Sequence, residues 1–141
     1  MEKWKIFALL SMVFAGFTSV IAKYGMKDLH SDVALFIRTF VVLVFVGINA
    51  FFFRNAFTAI QHTSAKNILF LTLSGITTSL SWIFYYRAMK EGDVSYVASI
   101  DKASIVITLI LSFIILKEPV SAKVLAGAGL ILAGMLVLVW K

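Results

Sequence analysis

The chain has 141 residues, of which 61% are hydrophobic and 14% charged, and its mean hydropathy is +0.98. A soluble domain of this size could not bury that much apolar surface, so the composition indicates an integral membrane protein in contact with the lipid bilayer. The net charge is +6, but Lys and Arg lie mostly in short loops between apolar runs, which is typical of membrane flanks and not of nucleic-acid binding. Cys is absent, and His30 and His62 lie in separate loops, so we expect no metal site and no cofactor.

Five apolar runs joined by short polar loops predict five transmembrane helices in a single domain over residues 1–141. A helix needs about 20 apolar residues to cross a bilayer. The predicted helices cover about 5–22, 33–53, 67–86, 94–116 and 122–140. The first run could also be a signal peptide, but it exceeds the usual apolar length of about 7–15 residues. The predicted fold class is therefore an all-α membrane protein, a bundle of five transmembrane helices.

Lysine and arginine are divided almost equally between the two membrane faces. Five spans place the two chain ends on opposite sides of the membrane. The face of the N-terminus carries Lys3, Lys5, Arg54, Lys66, Lys117 and Lys123, and the other face carries Lys23, Lys27, Arg87, Lys90 and Lys141. Orientation follows the difference in Lys and Arg between the faces, which is nearly zero here. Insertion in both directions therefore stays open, beside a single orientation set by the first helix.

Charged residues inside the predicted spans are the first candidates for a functional site. Asp101 and Lys102 lie about two turns into the fourth span, where each charge costs roughly 2.5–3.5 kcal/mol on insertion scales. Arg38 in the second span and Lys23 after the first belong to the same membrane half and are candidate partners of Asp101. These four residues are predicted to bind substrate or a coupling ion. The alternatives are a structural ion pair, or an Arg38 side chain that extends to the lipid headgroups.

Polar and aromatic side chains on three spans predict a cavity next to these charges. They recur on one helix face within each span, and aromatic rings with a few polar groups suit an organic ligand. The predicted lining residues are Ser74, Thr78, Ser81, Trp82, Tyr85, Tyr86, Ser104, Thr108 and Asn49. Ser and Thr also allow close helix packing in membranes, so the cavity and the packing interpretations both stay open.

The fifth span has small residues in place of polar ones. Gly127 and Gly134 are two turns apart, and Gly129 and Ala133 form a small-xxx-small pair. Such spacing lets helices approach closely, so we expect this helix to form an interface, either within the chain or between chains. The spacing is similar to that of the dimerising last helix of the small multidrug resistance transporters.

Several motifs in order carry a family resemblance over nearly the whole chain. They are FAGFTSVIAKYGMK, ALFIRTFVVL, LSGITTSLSWIFYYRAMKEGDVSYVASIDKASIV and LKEPVSAKVLAGAGLILAG. The chain resembles the bacterial/archaeal transporter family, the five-helix EamA-type members of the drug/metabolite transporter superfamily. Lys117 departs from the pattern, because Gly is expected before Glu118. The resemblance implies half of a ten-helix inverted-repeat fold, an antiparallel homodimer, and a multi-pass location in the plasma membrane of a bacterium or archaeon (the inner membrane if Gram-negative).

The resemblance and the polar residues together predict a secondary transporter or exporter of a small organic metabolite or drug that works by alternating access. Asp101 would accept the coupling proton or cation. Lys102 and Arg38 would set how strongly Asp101 binds that ion, or would bind an anionic substrate group. Aromatic residues of the third span would contact the organic part of the substrate. One alternative is a flippase for a phosphate-bearing lipid carrier. Another is a membrane subunit that transports nothing and stabilises a larger complex. An enzyme is not expected, since the spans offer no catalytic pairing of side chains.

Overall fold

The computed structural model describes residues 2–53, 56–119 and 121–140, and in this part of the chain all regular structure is helical. The helices are α1 (Lys3–Gly25), α2 (Ser31–Phe53), α3 (Ala56–Gln61), α4 (Ala65–Glu91), α5 (Val94–Lys102), α6 (Ser104–Leu111) and α7 (Ala122–Val139), with a π-helical turn at Ser112–Leu116 after α6. Five stretches are long and apolar enough to cross a membrane: α1, α2, α4, the run from α5 through the π turn, and α7. The predicted all-α fold with five spans is confirmed.

Most apolar side chains of these spans are exposed on the isolated chain. Phe45 is 72% exposed and Leu130 is 75% exposed, and many others are similar. In water this exposure would be strongly unfavourable, whereas hydrocarbon tails are as apolar as these side chains. The helices are therefore built to contact the lipid bilayer, as the composition predicts.

The structure extends three predicted helices into segments predicted as loops. Helix α1 continues to Gly25, α2 begins at Ser31, and α4 runs to Glu91, five residues beyond the predicted end at Tyr86. The apolar pattern stops earlier because the added turns are polar. Those turns stay helical because their charged side chains find partners on neighbouring helices, which are described below. The second predicted loop also contains the short helix α3.

Serine hydroxyls mark the beginnings of α4 and α7. The Ser64 Oγ accepts a hydrogen bond from the Asn67 amide at 3.3 Å, and the Ser121 Oγ accepts one from the Val124 amide at 3.2 Å. The first amides of a helix have no partner within it, and such hydroxyls provide acceptors for them; the Val124 amide also donates to the Ser121 carbonyl at 3.0 Å. These caps fix where the third and fifth spans start.

The fourth span is interrupted directly after its charged pair. Ala103 forms a turn between α5 and α6, with 3₁₀-type bonds from the Ala103 amide to the Ile100 carbonyl and from the Val106 amide to the Ala103 carbonyl. The span ends at Lys117, which has a φ of 55° in the left-handed region. This conformation favours glycine. The glycine that the family resemblance leads us to expect before Glu118 is thus explained by the backbone.

The described residues form two compact units. Unit 2, residues 20–90, contains the end of α1, with α2, α3 and nearly all of α4, and its buried residues are Met26, Ser31, Leu35, Tyr86 and Met89. Unit 1, residues 1–19 and 91–141, contains most of α1, with α5, α6 and α7. Within unit 1 the helix α7 packs against α5 and α6, and its Ala128 is buried.

Candidate functional site

An arginine and two aromatic rings meet inside unit 2. The Arg38 guanidinium carbon lies 4.3 Å from the centroid of the Trp82 ring and 5.9 Å from that of Tyr86. Trp82 and Tyr86 are one turn apart on α4, so both rings face α2, and Tyr86 is buried. A guanidinium within about 6 Å of a ring centroid is attracted to the π-face of that ring. The structure therefore brings together three residues that the sequence predicts for the site.

The Arg38 site lies inside the span and not at its end. Arg38 is seven residues after the start of α2, which places it about 10 Å along the helix at 1.5 Å per residue. Helices α2 and α4 run antiparallel, since Asp32 contacts Arg87 near the ends and Arg38 contacts Trp82 further in. The guanidinium is closer to Trp82 than to Tyr86, so its side chain does not extend past Tyr86 toward the helix ends. The alternative in which Arg38 reaches the headgroups stays open beside the site interpretation.

One nitrogen of this guanidinium has no acceptor. Arg38 Nη1 is buried and, within the described part of the chain, forms no hydrogen bond. A buried N–H without a partner costs about 1–3 kcal/mol, and more on a charged group. Native structures rarely keep such a group without a reason. The aromatic rings stabilise the positive charge, but their faces do not supply the oxygen lone pair that this N–H lacks.

Two lysines cap each other's helices at the end of unit 2. The Lys23 ammonium, on α1, donates to the carbonyls of Met89 and Lys90 at the end of α4. The Lys90 ammonium donates to the carbonyls of Met26 and Lys27 at 2.8 and 2.9 Å, just beyond the end of α1. Helix C-termini carry unpaired carbonyls and partial negative charge, so cations are stabilising there. The contacts of Lys23 thus give it a structural role, and its predicted part in ion coupling stays a prediction.

A bidentate ion pair joins α2 to α4 beside these lysines. Arg87 Nε lies 3.1 Å from Asp32 Oδ1, and Arg87 Nη2 lies 2.9 Å from Asp32 Oδ2. Two parallel N–H bonds give such a pair a defined geometry. The sequence reasoning missed both Asp32 and Lys90, because it placed them in loops. An acidic residue in the first turn of α2 and basic residues in the last turns of α4 are the signals that could have located them.

The intramembrane acid Asp101 lies in unit 1. Its Oδ2 is 3.8 Å from the Lys102 ammonium, and both side chains are partly exposed. This distance is longer than a charge-assisted hydrogen bond of about 2.7–2.9 Å, so the neighbours form only a loose pair. The predicted pairing of Asp101 with Arg38 or Lys23 stays a prediction.

The hydroxyl groups of the predicted cavity bond mostly to their own helices. Thr78 Oγ1 donates to the Ser74 carbonyl at 2.8 Å, and Thr108 Oγ1 donates to the Ser104 carbonyl at 3.0 Å. Such bonds satisfy a hydroxyl within a single helix, which suits the packing interpretation and still leaves oxygen lone pairs for a ligand. Ser81 and Asn49 are exposed, and the rings of Tyr85 and Tyr86 lie 6.4 Å apart between centroids. A cavity lined by these residues stays a prediction.

The small residues of α7 leave open space. Around Gly127, Gly129 and Gly134 an added Cβ would meet no atom within 4 Å, whereas Ala128 is buried. At about 100° per residue, the glycines lie on the flanks of the face that Ala128 buries. The packing of α7 within unit 1 therefore leaves the predicted glycine interface unused.

The fold and this cluster together define a class: a multi-pass, all-α membrane protein in which an arginine of α2 contacts two aromatic rings of α4. The sequence profile of the EamA-like transporter family matches residues 2–140, and the chain belongs to this family. The resemblance of the sequence motifs to EamA-type transporters is thereby confirmed.

Two relatives carry the word transporter in their names. The chain is 39% identical over 138 residues to a Sinorhizobium sp. protein named "Uncharacterized transporter in cobO 3'region", and the alignment covers 97% of this chain and 96% of that protein. It is 31% identical over 84 residues to a Bacillus subtilis (strain 168) protein named "Uncharacterized transporter YvbV", and this alignment covers 60% of this chain and 28% of that protein. No solved structure matches significantly. These findings indicate a bacterial membrane transporter.

Proposed function

We propose that this protein is a secondary transporter that moves a small organic molecule across the plasma membrane. The observation that carries the proposal is the contact of the Arg38 guanidinium with the rings of Trp82 and Tyr86 within the membrane-spanning part of unit 2. A charge inside a span is expensive and marks a substrate or ion pathway more often than a packing device. Membership of a transporter family gives this site a use that packing alone does not explain.

In this proposal Asp101 couples transport to protons. The carboxylate is partly exposed and held only loosely by Lys102, so a proton can reach it. It also precedes the turn at Ala103, where the fourth span changes from α5 to α6. Interrupted helices close to the site are common in secondary transporters, and short 3₁₀ stretches inside helices often serve as hinges. Protonation of Asp101 would then be linked to bending at Ala103.

The functional unit in this proposal is an antiparallel homodimer. The nearly equal division of Lys and Arg favours insertion in both directions. The 84 residues aligned with YvbV are 28% of that protein, which is therefore about twice as long as this chain. A second inverted copy would supply the half that the longer relative carries, with a substrate site between the two. The unused glycine surface of α7 offers a contact between the copies.

The transport proposal is tested with purified protein in lipid vesicles. Vesicles loaded with extracted bacterial metabolites are expected to exchange at least one compound with the outside in a protein-dependent manner. Asp101→Asn should abolish accumulation driven by a pH gradient and retain exchange at equal pH. The exposed residue Lys123 of α7 provides the control, since Lys123→Gln should transport like the natural chain. Absence of protein-dependent exchange for every compound would contradict the proposal.

The antiparallel arrangement is tested by labelling from outside intact cells. Cys is absent, so single cysteines at Asp28 and, separately, at His62 report on the loops after α1 and α3, and both residues are exposed. Labelling of both by a membrane-impermeant thiol reagent is expected if the protein inserts in both directions. Labelling of only one would show a single orientation and exclude the antiparallel homodimer.

A further inference from the structure

Arg38 differs from other basic side chains of unit 2 in what the protein offers it. Lys23 and Lys90 are supplied with backbone carbonyls, and Arg87 is supplied with both oxygens of Asp32. Arg38 contacts two aromatic rings, and its buried Nη1 has no acceptor among the residues that the structure describes. Unit 2 thus provides oxygen acceptors to these three cations near its end, whereas it provides none to Arg38 Nη1, deeper in the span, among the residues that the structure describes.

The chemistry of the guanidinium limits what kind of acceptor can bind. All its N–H groups lie in its plane and form a fork of donors at its edge. The planar fork matches the two oxygens of a carboxylate or the oxygens of a phosphate. A cationic ligand would be repelled, and a neutral amide would offer a single weaker acceptor. Trp82 and Tyr86 add apolar and π surface beside the fork, which suits a flat organic group attached to the anion.

We propose that Arg38 binds the oxyanion of the transported molecule, a carboxylate or a phosphate, while Trp82 and Tyr86 contact its organic part. This inference rests on the proposed transport function and names the substrate class. The side chain is half-buried, so the ligand reaches the open part of the guanidinium first. A small rotation of the guanidinium then exposes Nη1 to the second oxygen. The orphaned donor favours this rotation because it gains its hydrogen bond only when the anion is present.

Trp82 itself reports on binding. The chain has three tryptophans, and Trp4→Phe with Trp140→Phe leaves Trp82 as the single emitter next to Arg38. This variant, purified in phosphatidylcholine nanodiscs, is titrated with benzoate, phenyl phosphate, benzamide and benzamidine. These probes share a ring and differ in charge. A saturable change of Trp82 emission is expected for benzoate or phenyl phosphate, at concentrations at least tenfold below those needed for benzamide and benzamidine.

Substitutions of Arg38 then locate the anion. Arg38→Gln should lose the response to both anionic probes, and Arg38→Lys should keep a weaker one, because lysine retains the charge without the planar fork. The exposed Lys123 is the matched basic control, and Lys123→Gln should leave the titration unchanged. An unchanged affinity for benzoate and phenyl phosphate in Arg38→Gln, or a preference for benzamidine when Arg38 is intact, would overturn the inference. The titrations of the single-tryptophan protein with Arg38 intact do not depend on the folding of any Arg38 variant.

The oxyanion has two sources, a soluble metabolite and a lipid phosphate, which the bilayer composition separates. Nanodiscs of phosphatidylcholine with and without a polyprenyl phosphate are compared in the absence of soluble probe. If the lipid changes Trp82 emission in an Arg38-dependent manner and benzoate and phenyl phosphate do not, the oxyanion site is supported and its ligand is a lipid phosphate. If the soluble probes change the emission and the lipid does not, the site is supported and its ligand is a soluble anion. If Asp101→Asn alone reproduces the emission change without any probe, Asp101 is the acceptor of Arg38 and the substrate inference is overturned.

Binding and transport fail separately in these experiments. The emission of Trp82 measures occupancy and requires no movement of substrate. Vesicles that exchange only cationic metabolites would keep the transport proposal and reject the anionic substrate. An Arg38-dependent titration by benzoate, without exchange of any compound, would keep the anion site and reject transport.

Discussion

The two units of this protein use their polar residues differently. In unit 2, Lys23, Lys90, Asp32 and Arg87 all find partners within the unit, and five of the six residues buried in the described part of the chain belong to it. In unit 1, Asp101 and Lys102 form only a loose pair, and one residue, Ala128, is buried among those that the structure describes.

The difference reflects what holds helices together in a membrane. Apolar side chains gain little by leaving lipid for another helix, so specific polar contacts and close packing of small residues provide the association. Unit 2 obtains this association from its own charged side chains. Unit 1 retains surfaces that a partner could contact.

The largest expected effect is on assembly through unit 1. Gly134→Leu should weaken self-association at least tenfold without unfolding the chain, because a side chain added there meets no atom within its own chain. Gly47→Leu in α2 of unit 2 is the matched control, since Gly47 also faces open space, and it should not change association. Fluorescence energy transfer between labelled copies in vesicles measures both. Equal loss in the two variants would show that the glycine surface of α7 has no special role.

The second effect concerns the crossed lysine caps of unit 2. Lys23→Met should increase amide exchange in the last turn of α4, and Lys90→Met should increase it in the last turn of α1, because each lysine bonds to the end of the other helix. Each loss should lower the free energy of unfolding by about 1.5–3 kcal/mol, the range for hydrogen bonds that involve a charged group. Hydrogen exchange with mass spectrometry locates the change. The crossed arrangement would be contradicted if amide exchange increased only at the end of the helix that carries the substituted lysine and not at the end of the other helix.

The ion pair between Asp32 and Arg87 should give a smaller effect, because both side chains are about half-exposed. Asp32→Asn, Arg87→Gln and the double variant form a cycle that isolates the pairwise contribution to stability. The reference is the pair of Glu2 and Lys5 in unit 1, which lies three residues apart on one helix end. The bidentate pair should show the larger coupling, and high salt should reduce it. A coupling no larger than that of the reference pair would show that the contact does not hold α2 to α4.

The smallest effect is a gain of stability in unit 1. Lys117→Gly should raise the free energy of unfolding by about 0.5–1 kcal/mol, because it removes a side chain from a left-handed conformation. The same replacement at Lys123, in the first turn of α7, should lower it, since glycine is unfavourable in a helix. Denaturant titration of both variants in mixed micelles tests the sign. A loss of stability in Lys117→Gly would mean that contacts of the lysine side chain outweigh the backbone strain.

Sequence reasoning was most successful where one physical signal dominated. Five apolar runs of membrane length identified all five spans, and the motifs around Trp82 and Asp101 identified the family. It was least successful at the helix ends. Arg87 and Lys90 are polar and were placed in a turn, although their partners on other parts of unit 2 keep them helical. A sequence pattern assigns charged residues at the end of an apolar run to a loop, because the pattern does not show their partners on other helices.

Composition and apolar periodicity by themselves determined that this chain is a five-span, all-α membrane protein, because the length of hydrocarbon to be crossed leaves few other solutions. They also determined which side chains are unusual, since Arg38 and Asp101 are charged where the surroundings are apolar. Only the tertiary structure decided what those side chains contact. It placed Arg38 on Trp82 with Nη1 unpaired, and it tied Lys23 to the end of α4, because such contacts join residues far apart in the chain whose spacing no local pattern records.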